Sequence, residues 1–105
     1  MGKHEMKKIT PETALKRAAR DFLRLYGVWT FPVTAGLGSY PGIADRLGIY
    51  QGKPLAIEFK SRLGRLTTYQ EKFRQEWESR GGLYVTCKSI EDLAQALGIK
   101  TMGIL

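Results

Sequence analysis

A chain of 105 residues, 43% of them hydrophobic, can build one folded domain with a modest core and is too short for two. Lys and Arg number 17 against 10 Asp and Glu, and the formal charge of +7 favours a polyanionic partner. A single cysteine, Cys87, and a single histidine, His4, exclude an intrachain disulfide and a Cys/His zinc site, and they leave a His-based triad dependent on a frayed terminus.

Residues 1–9 are polar, basic and aperiodic, and read as a flexible lead-in to a single domain over 10–105. Thr10-Pro11 opens a helix, with Thr as N-cap, Pro at the first helical position and Glu12 in the first turn. Leu15, Ala18, Ala19, Phe22 and Tyr26 recur at helical spacing until Gly27 stops the run. Residues 28–34 are rich in strand formers, and Pro32 suits an edge strand or a bulge. The glycine-rich stretch 35–42 reads as a loop. Residues 43–50 and 55–60 pair as a hairpin around Gln51-Gly52-Lys53-Pro54, its first strand weakened or bulged by Gly48.

After a basic loop over 61–66, residues 67–79 form a helix in which Thr67 and Gln70 fit a capping box. Tyr69, Phe73 and Trp77 mark its buried stripe, and Trp29 is likewise read as a core residue. Residues 83–87 form a short apolar strand containing a buried, inert Cys87. Ser89 caps a last helix that stops at Gly98, and an apolar tail follows over 99–105. The order α-β-β-β-α-β-α predicts an α/β fold, a central mixed β-sheet flanked by helices, its last strand reached by a right-handed parallel crossover. No run is long and apolar enough to span a bilayer, and Met6 occupies the position where an N-myristoylation signal needs Ser or Thr. A cytoplasmic protein is expected.

The segment Leu55 to Lys60 alternates: Leu55, Ile57 and Phe59 to one face, Ala56, Glu58 and Lys60 to the other. A turn centred between Gly52 and Lys53 sets Asp45 opposite Lys60 and diagonal to Glu58, within reach of a shared ion. Two carboxylates and an amine in an apolar strand are costly to bury unless something compensates, and Mg²⁺ with its hard oxygen ligands does so.

Asp45 in Pro41-Gly42-Ile43-Ala44-Asp45, followed by Glu58-Phe59-Lys60, resembles the PD-(D/E)xK nuclease superfamily, with the proline further from the aspartate than in that pattern. An early helix with Glu12, the Gly42-x-x-Asp45 approach, the Glu-x-Lys strand and Gln70 on the next helix resemble its VRR-NUC branch, over most of the chain. The resemblance implies a restriction-endonuclease-like core and a nuclease using Mg²⁺, with Mn²⁺ able to substitute. It also implies metal ligation by Asp45, Glu58 and the Phe59 backbone carbonyl, with Glu12 joining through a metal-bound water, Lys60 orienting the attacking water and Gln70 at the site. Glu12 equally suits its helix dipole and Gln70 its capping box, and the roles need not exclude one another.

Lys16, Arg17, Arg20 and Arg24 form a basic helix stripe that either meets phosphates or is only solvated. Arg62 and Arg65 flank the Glu-x-Lys strand, Arg74 lies one helical turn beyond Gln70, and Ser39 and Tyr40 sit in a glycine-rich loop that lets a backbone approach DNA. The expected function is a stand-alone, metal-dependent DNA endonuclease, structure-selective for branched or junction DNA and working as a homodimer in a bacterial or phage-infected cell. The alternatives are a non-catalytic nucleic-acid-binding protein on the same fold, or a subunit of a phage or repair assembly.

Overall fold

The computed structural model describes residues 9–34, 36 and 38–101. Residues 1–8 of the expected lead-in, residues 102–105 of the apolar tail, and Ala35 and Leu37 of the glycine-rich loop lie outside the described residues. Helix α1 (Pro11–Leu25) begins where the Thr10 hydroxyl accepts the Thr13 N–H at 3.1 Å. Strand β1 (Trp29–Pro32) pairs antiparallel with β2 (Arg46–Tyr50), and β2 pairs antiparallel with β3 (Lys53–Phe59). Helix α2 (Thr68–Ser79) crosses over to β4 (Leu83–Cys87), which lies parallel to β3, and α3 (Ile90–Leu97) closes the described chain. The sheet order is β1-β2-β3-β4, a mixed sheet with helices on both faces in the order read from the sequence.

The alternation along β3 separates two cores. Leu55, Ile57 and Phe59 join Ala19, Phe22 and Leu23 of α1, Val85 and Cys87 of β4, and Leu93, Ala94 and Leu97 of α3. On the opposite face Ala56 joins Ala44, Phe73 and Tyr84 beneath α2. Ala18, expected on the buried stripe of α1, is exposed: contact runs through Ala19, Phe22 and Leu23, one position round the helix. Tyr69 is 62% exposed and Trp29 63% exposed, so neither is a core residue. Trp29 stands on the edge strand of the sheet, and Trp77 is only half-buried, its indole donating to the Leu83 carbonyl at 3.1 Å.

The hairpin differs from expectation in its turn. Gln51 and Gly52 both adopt positive φ, 53° and 80°, so the turn has two residues, and Lys53 and Pro54 belong to β3. Tyr50 pairs with Lys53 and Arg46 with Ile57, which carries Asp45 toward Glu58 rather than Lys60. The slip is two residues, so every side chain keeps its face. Gly48 causes no bulge; it pairs in register with Thr30 and Leu55, and a β-carbon there would collide with the Trp29 carbonyl oxygen. Cys87 is buried, its thiol pushed up to about 12 by burial and donating to the Ser89 carbonyl at 3.2 Å.

Candidate active site

Asp45, Glu58 and Lys60 meet where β2 begins and β3 ends. Asp45 Oδ2 accepts the Phe59 backbone N–H at 2.8 Å, so the carboxylate is fixed by the strand that carries Glu58. Glu58 is only 4% exposed, the one charged residue among the buried ones described. Its Oε2 lies 3.6 Å from Lys60 Nζ and accepts from Gln70 Nε2 at 3.0 Å. Its Oε1 is buried without any hydrogen-bond partner among the described residues. Burial, and then the neighbouring Asp45 carboxylate, push the Glu58 carboxyl up to about 7, against the opposing pull of Lys60.

Gln70 completes its capping box and also reaches Glu58. Its Oε1 accepts from the Thr67 N–H at 2.9 Å and its own N–H donates to the Thr67 hydroxyl at 3.2 Å, completing the capping box, while its Nε2 holds Glu58. The amide can do both because its acceptor and donor ends point in different directions. What brings the first turn of α2 this close is Gly42. Its φ is 75°, and a β-carbon there would collide with the Tyr69 carbonyl, so the loop leading to Asp45 rests directly on the α2 backbone.

Glu12 lies apart from this pair. Its Oε2 is 3.0 Å from Lys16 Nζ, and among the described residues no three His, Cys, Asp or Glu side chains are grouped to hold a metal ion. Lys16 is the link between them: its ammonium is held above its ordinary value chiefly by Glu12, with Asp45 and Glu58 adding to the field. Lys16, Arg17 and Arg20 line a cavity of about 370 Å³ with Thr13, Asp45 and Arg46. The basic stripe thus abuts the carboxylates on the α1 side. Arg46 was not singled out from the sequence, although it directly follows Asp45; its Nε donates to the Thr30 hydroxyl at 2.9 Å, which fixes it at the cavity wall.

The other candidates divide. Arg62 and Arg65 are exposed on the loop after β3. Arg74 is engaged by two carboxylates, Glu71 at 2.7 Å and Glu78 at 3.0 Å, which neutralise the charge proposed for DNA. Ser39 closes its own loop, its hydroxyl accepting from the Gly36 N–H at 3.1 Å and donating to the Gly36 carbonyl at 2.7 Å. Tyr40 is exposed and packs edge-on against Phe73. No described helix is long and apolar enough to cross a membrane.

The donor set suits a hard divalent cation. The unpartnered Glu58 Oε1 beside a second carboxylate is a buried oxygen acceptor that a hard divalent cation would complete. Among solved structures the chain is similar to a VRR_NUC domain, with a TM-score of 0.71 and 18% identity over 85% of this chain and 96% of that one. No family model and no curated protein matches the sequence. The fold is therefore that of a VRR_NUC domain, with three helices around a four-stranded mixed sheet among the described residues, as the sequence resemblance implied.

Proposed function

We propose that this chain is a metal-dependent endonuclease that hydrolyses DNA phosphodiester bonds, selects branched or junction DNA by structure, and works in the cytoplasm as a homodimer. The observation that carries the reading is the Glu58 carboxylate, buried beside Asp45 with one oxygen unpartnered. A buried carboxylate in that state is expensive unless a ligand completes it, and such groups concentrate at functional sites. The likeness in fold to a VRR_NUC domain agrees with it.

Asp45, Glu58 and the Phe59 carbonyl would hold Mg²⁺, with Mn²⁺ as a substitute. Such an ion would supply positive charge to the phosphoryl oxygens and favour deprotonation of the attacking water. Gln70 fixes the Glu58 rotamer, and the Phe59 N–H fixes that of Asp45. Lys60, anchored at Glu58, offers donors to the attacking water or a phosphoryl oxygen. Glu12 acts indirectly, holding Lys16 at the edge of the site. Lys16, Arg17, Arg20 and Arg46 receive backbone phosphates on the α1 side, and Arg62 and Arg65 do so beyond β3.

Calorimetric titration with Mg²⁺ and cleavage of labelled junction DNA test this directly. The wild type should bind the ion and cut, while folded Asp45→Ala, Glu58→Ala and Lys60→Ala should lose roughly a thousandfold or more in rate. Undiminished cleavage by all three variants would overturn the assignment. DNA binding without cutting by the wild type would make the chain a non-catalytic binding protein.

A further inference from the structure

A second cavity, of about 570 Å³, opens on the outer edge of β4 between α2 and the loop after β3. Gly64, Arg65, Tyr84, Thr86 and Lys88 line it, together with the Arg74 cluster of α2. It adjoins the carboxylate site at two points. Thr86 is the register partner of Glu58 on the neighbouring strand, and Gly64 lies over the stem of Lys60. Tyr84, Thr86 and Lys88 alternate to the same face as Glu58 and Lys60.

Three features of the cavity point to an anion. Arg74 cancels Glu71 and, in part, Glu78, whereas no carboxylate pairs with Arg65 or Lys88 among the described residues. Lys88 Nζ donates to the Arg62 carbonyl at 3.2 Å, which tethers the basic loop to the strand, while the Asp92 carboxylate accepts the Lys88 backbone N–H at 2.9 Å. Tyr84 is 7% exposed, yet its hydroxyl is one of two buried side-chain polar atoms with no partner among the described residues. The other is Glu58 Oε1, the acceptor already assigned to a cation. An orphan donor in a cavity whose lining sets Arg65, Arg74 and Lys88 against Glu71 and Glu78, one positive charge in excess, suits an acceptor carrying negative charge.

We propose that this cavity is a phosphate subsite, in which Tyr84, Thr86, Arg65 and Lys88 take a DNA backbone phosphate neighbouring the one cut at Asp45 and Glu58. The assignment rests on the nuclease reading for the phosphate's position relative to the scissile bond. The spacing suits it: Glu58 and Thr86 stand one strand apart, about 4.8 Å, so a nucleic-acid strand crossing the end of the sheet passes from one site into the other. With the Lys16, Arg17 and Arg20 cavity on the α1 side, the carboxylates would lie between two anion-binding walls.

Tyr84→Phe is the decisive variant, because it removes only the hydroxyl. Binding of fluorescently labelled junction DNA in EDTA, urea unfolding, and steady-state cleavage with Mg²⁺ are measured for the wild type, Tyr84→Phe and Lys88→Ala. Lys53→Ala, at the far end of β3, serves as a charge control. Tyr84→Phe should bind DNA about tenfold more weakly and raise KM similarly, with kcat within about twofold of the wild type. Its urea midpoint should stay equal or rise, since an unpaired buried hydroxyl has been removed. Lys88→Ala should weaken binding and flatten its salt dependence, whereas Lys53→Ala should change neither.

Unchanged affinity in Tyr84→Phe overturns the subsite, and so does weaker binding that accompanies a lower urea midpoint. If the wild type cuts DNA but Tyr84→Phe binds normally, the subsite alone falls. A wild type that binds but never cuts, with Tyr84→Phe still weakened, removes the nuclease reading and leaves the phosphate site standing. A wild type that neither binds nor cuts removes both.

Discussion

The two faces of β3 come from alternate residues of one strand and carry opposite accounts of polar satisfaction. Toward α1 and α3, Leu55, Ile57 and Phe59 are buried in a continuous apolar cluster drawn from both helices and β4. Toward α2, Ala56 packs in a smaller cluster, after which the strand presents Glu58 and Lys60, and among the described residues the two unpartnered buried side-chain polar atoms belong to Glu58 and to Tyr84. The first face supplies stability. The second gives some of it up, holding charge in a dry setting where a bound ion and a phosphate would gain most. A strand locked by its apolar face can carry an unfavourable carboxylate on the other without losing register.

Breaking the apolar face should have the largest effect on stability. Ile57 is fully buried, and Ile57→Ala should cost about 2–5 kcal/mol in urea unfolding, through lost transfer energy and the cavity left behind. A cost below about 1 kcal/mol would mean that this face is not the anchor of the strand.

Glu58→Gln should act in the opposite direction and depend on pH. The Glu58 carboxyl is raised from its ordinary 4.5 to about 7 in the folded chain, so between those values the folded state holds a proton that the unfolded state releases. In metal-free buffer the wild type therefore loses stability as pH climbs through that window and levels off above about 7. The variant should escape this loss, exceeding the wild type by on the order of 3 kcal/mol at pH 8 and converging with it below pH 4.5. Added Mg²⁺ should narrow the gap by stabilising the wild type alone. A variant that is less stable than the wild type at pH 8 would show the carboxylate to be satisfied after all.

Gln70→Ala should be the mildest in unfolding and sharpens the contrast between structure and chemistry. Losing half of a capping box costs about 0.5–2 kcal/mol. Cleavage by the folded variant should fall by more than that fraction of unfolding explains, because Glu58 loses the amide that fixes its rotamer. Wild-type turnover in the folded variant would reduce Gln70 to a capping residue.

Much of this protein is determined by short-range chemistry that the sequence displays on its own. Thr10 and Ser89 cap helices through hydroxyls three residues from the N–H they accept, and Thr67 with Gln70 forms its box within one turn. The period of two along β3 assigns Glu58 and Lys60 to one face whatever the register, which is why a two-residue error in the hairpin left the carboxylates together. The turn itself was harder to read, since Gln51 adopts a positive φ that its residue type does not advertise.

Only the tertiary structure decided which neighbours those residues meet. Gly42 lying against the α2 backbone brings Gln70 to Glu58, and Arg74, on a favourable helix face, is neutralised by its own helix. Tyr84 and Thr86 enter the picture through the parallel register of β4 against β3, a pairing across an entire crossover helix. Nothing local marks that register. It follows from how α2 packs on the sheet, and the same packing buries Glu58 and the Tyr84 hydroxyl without the partners that water would have given them.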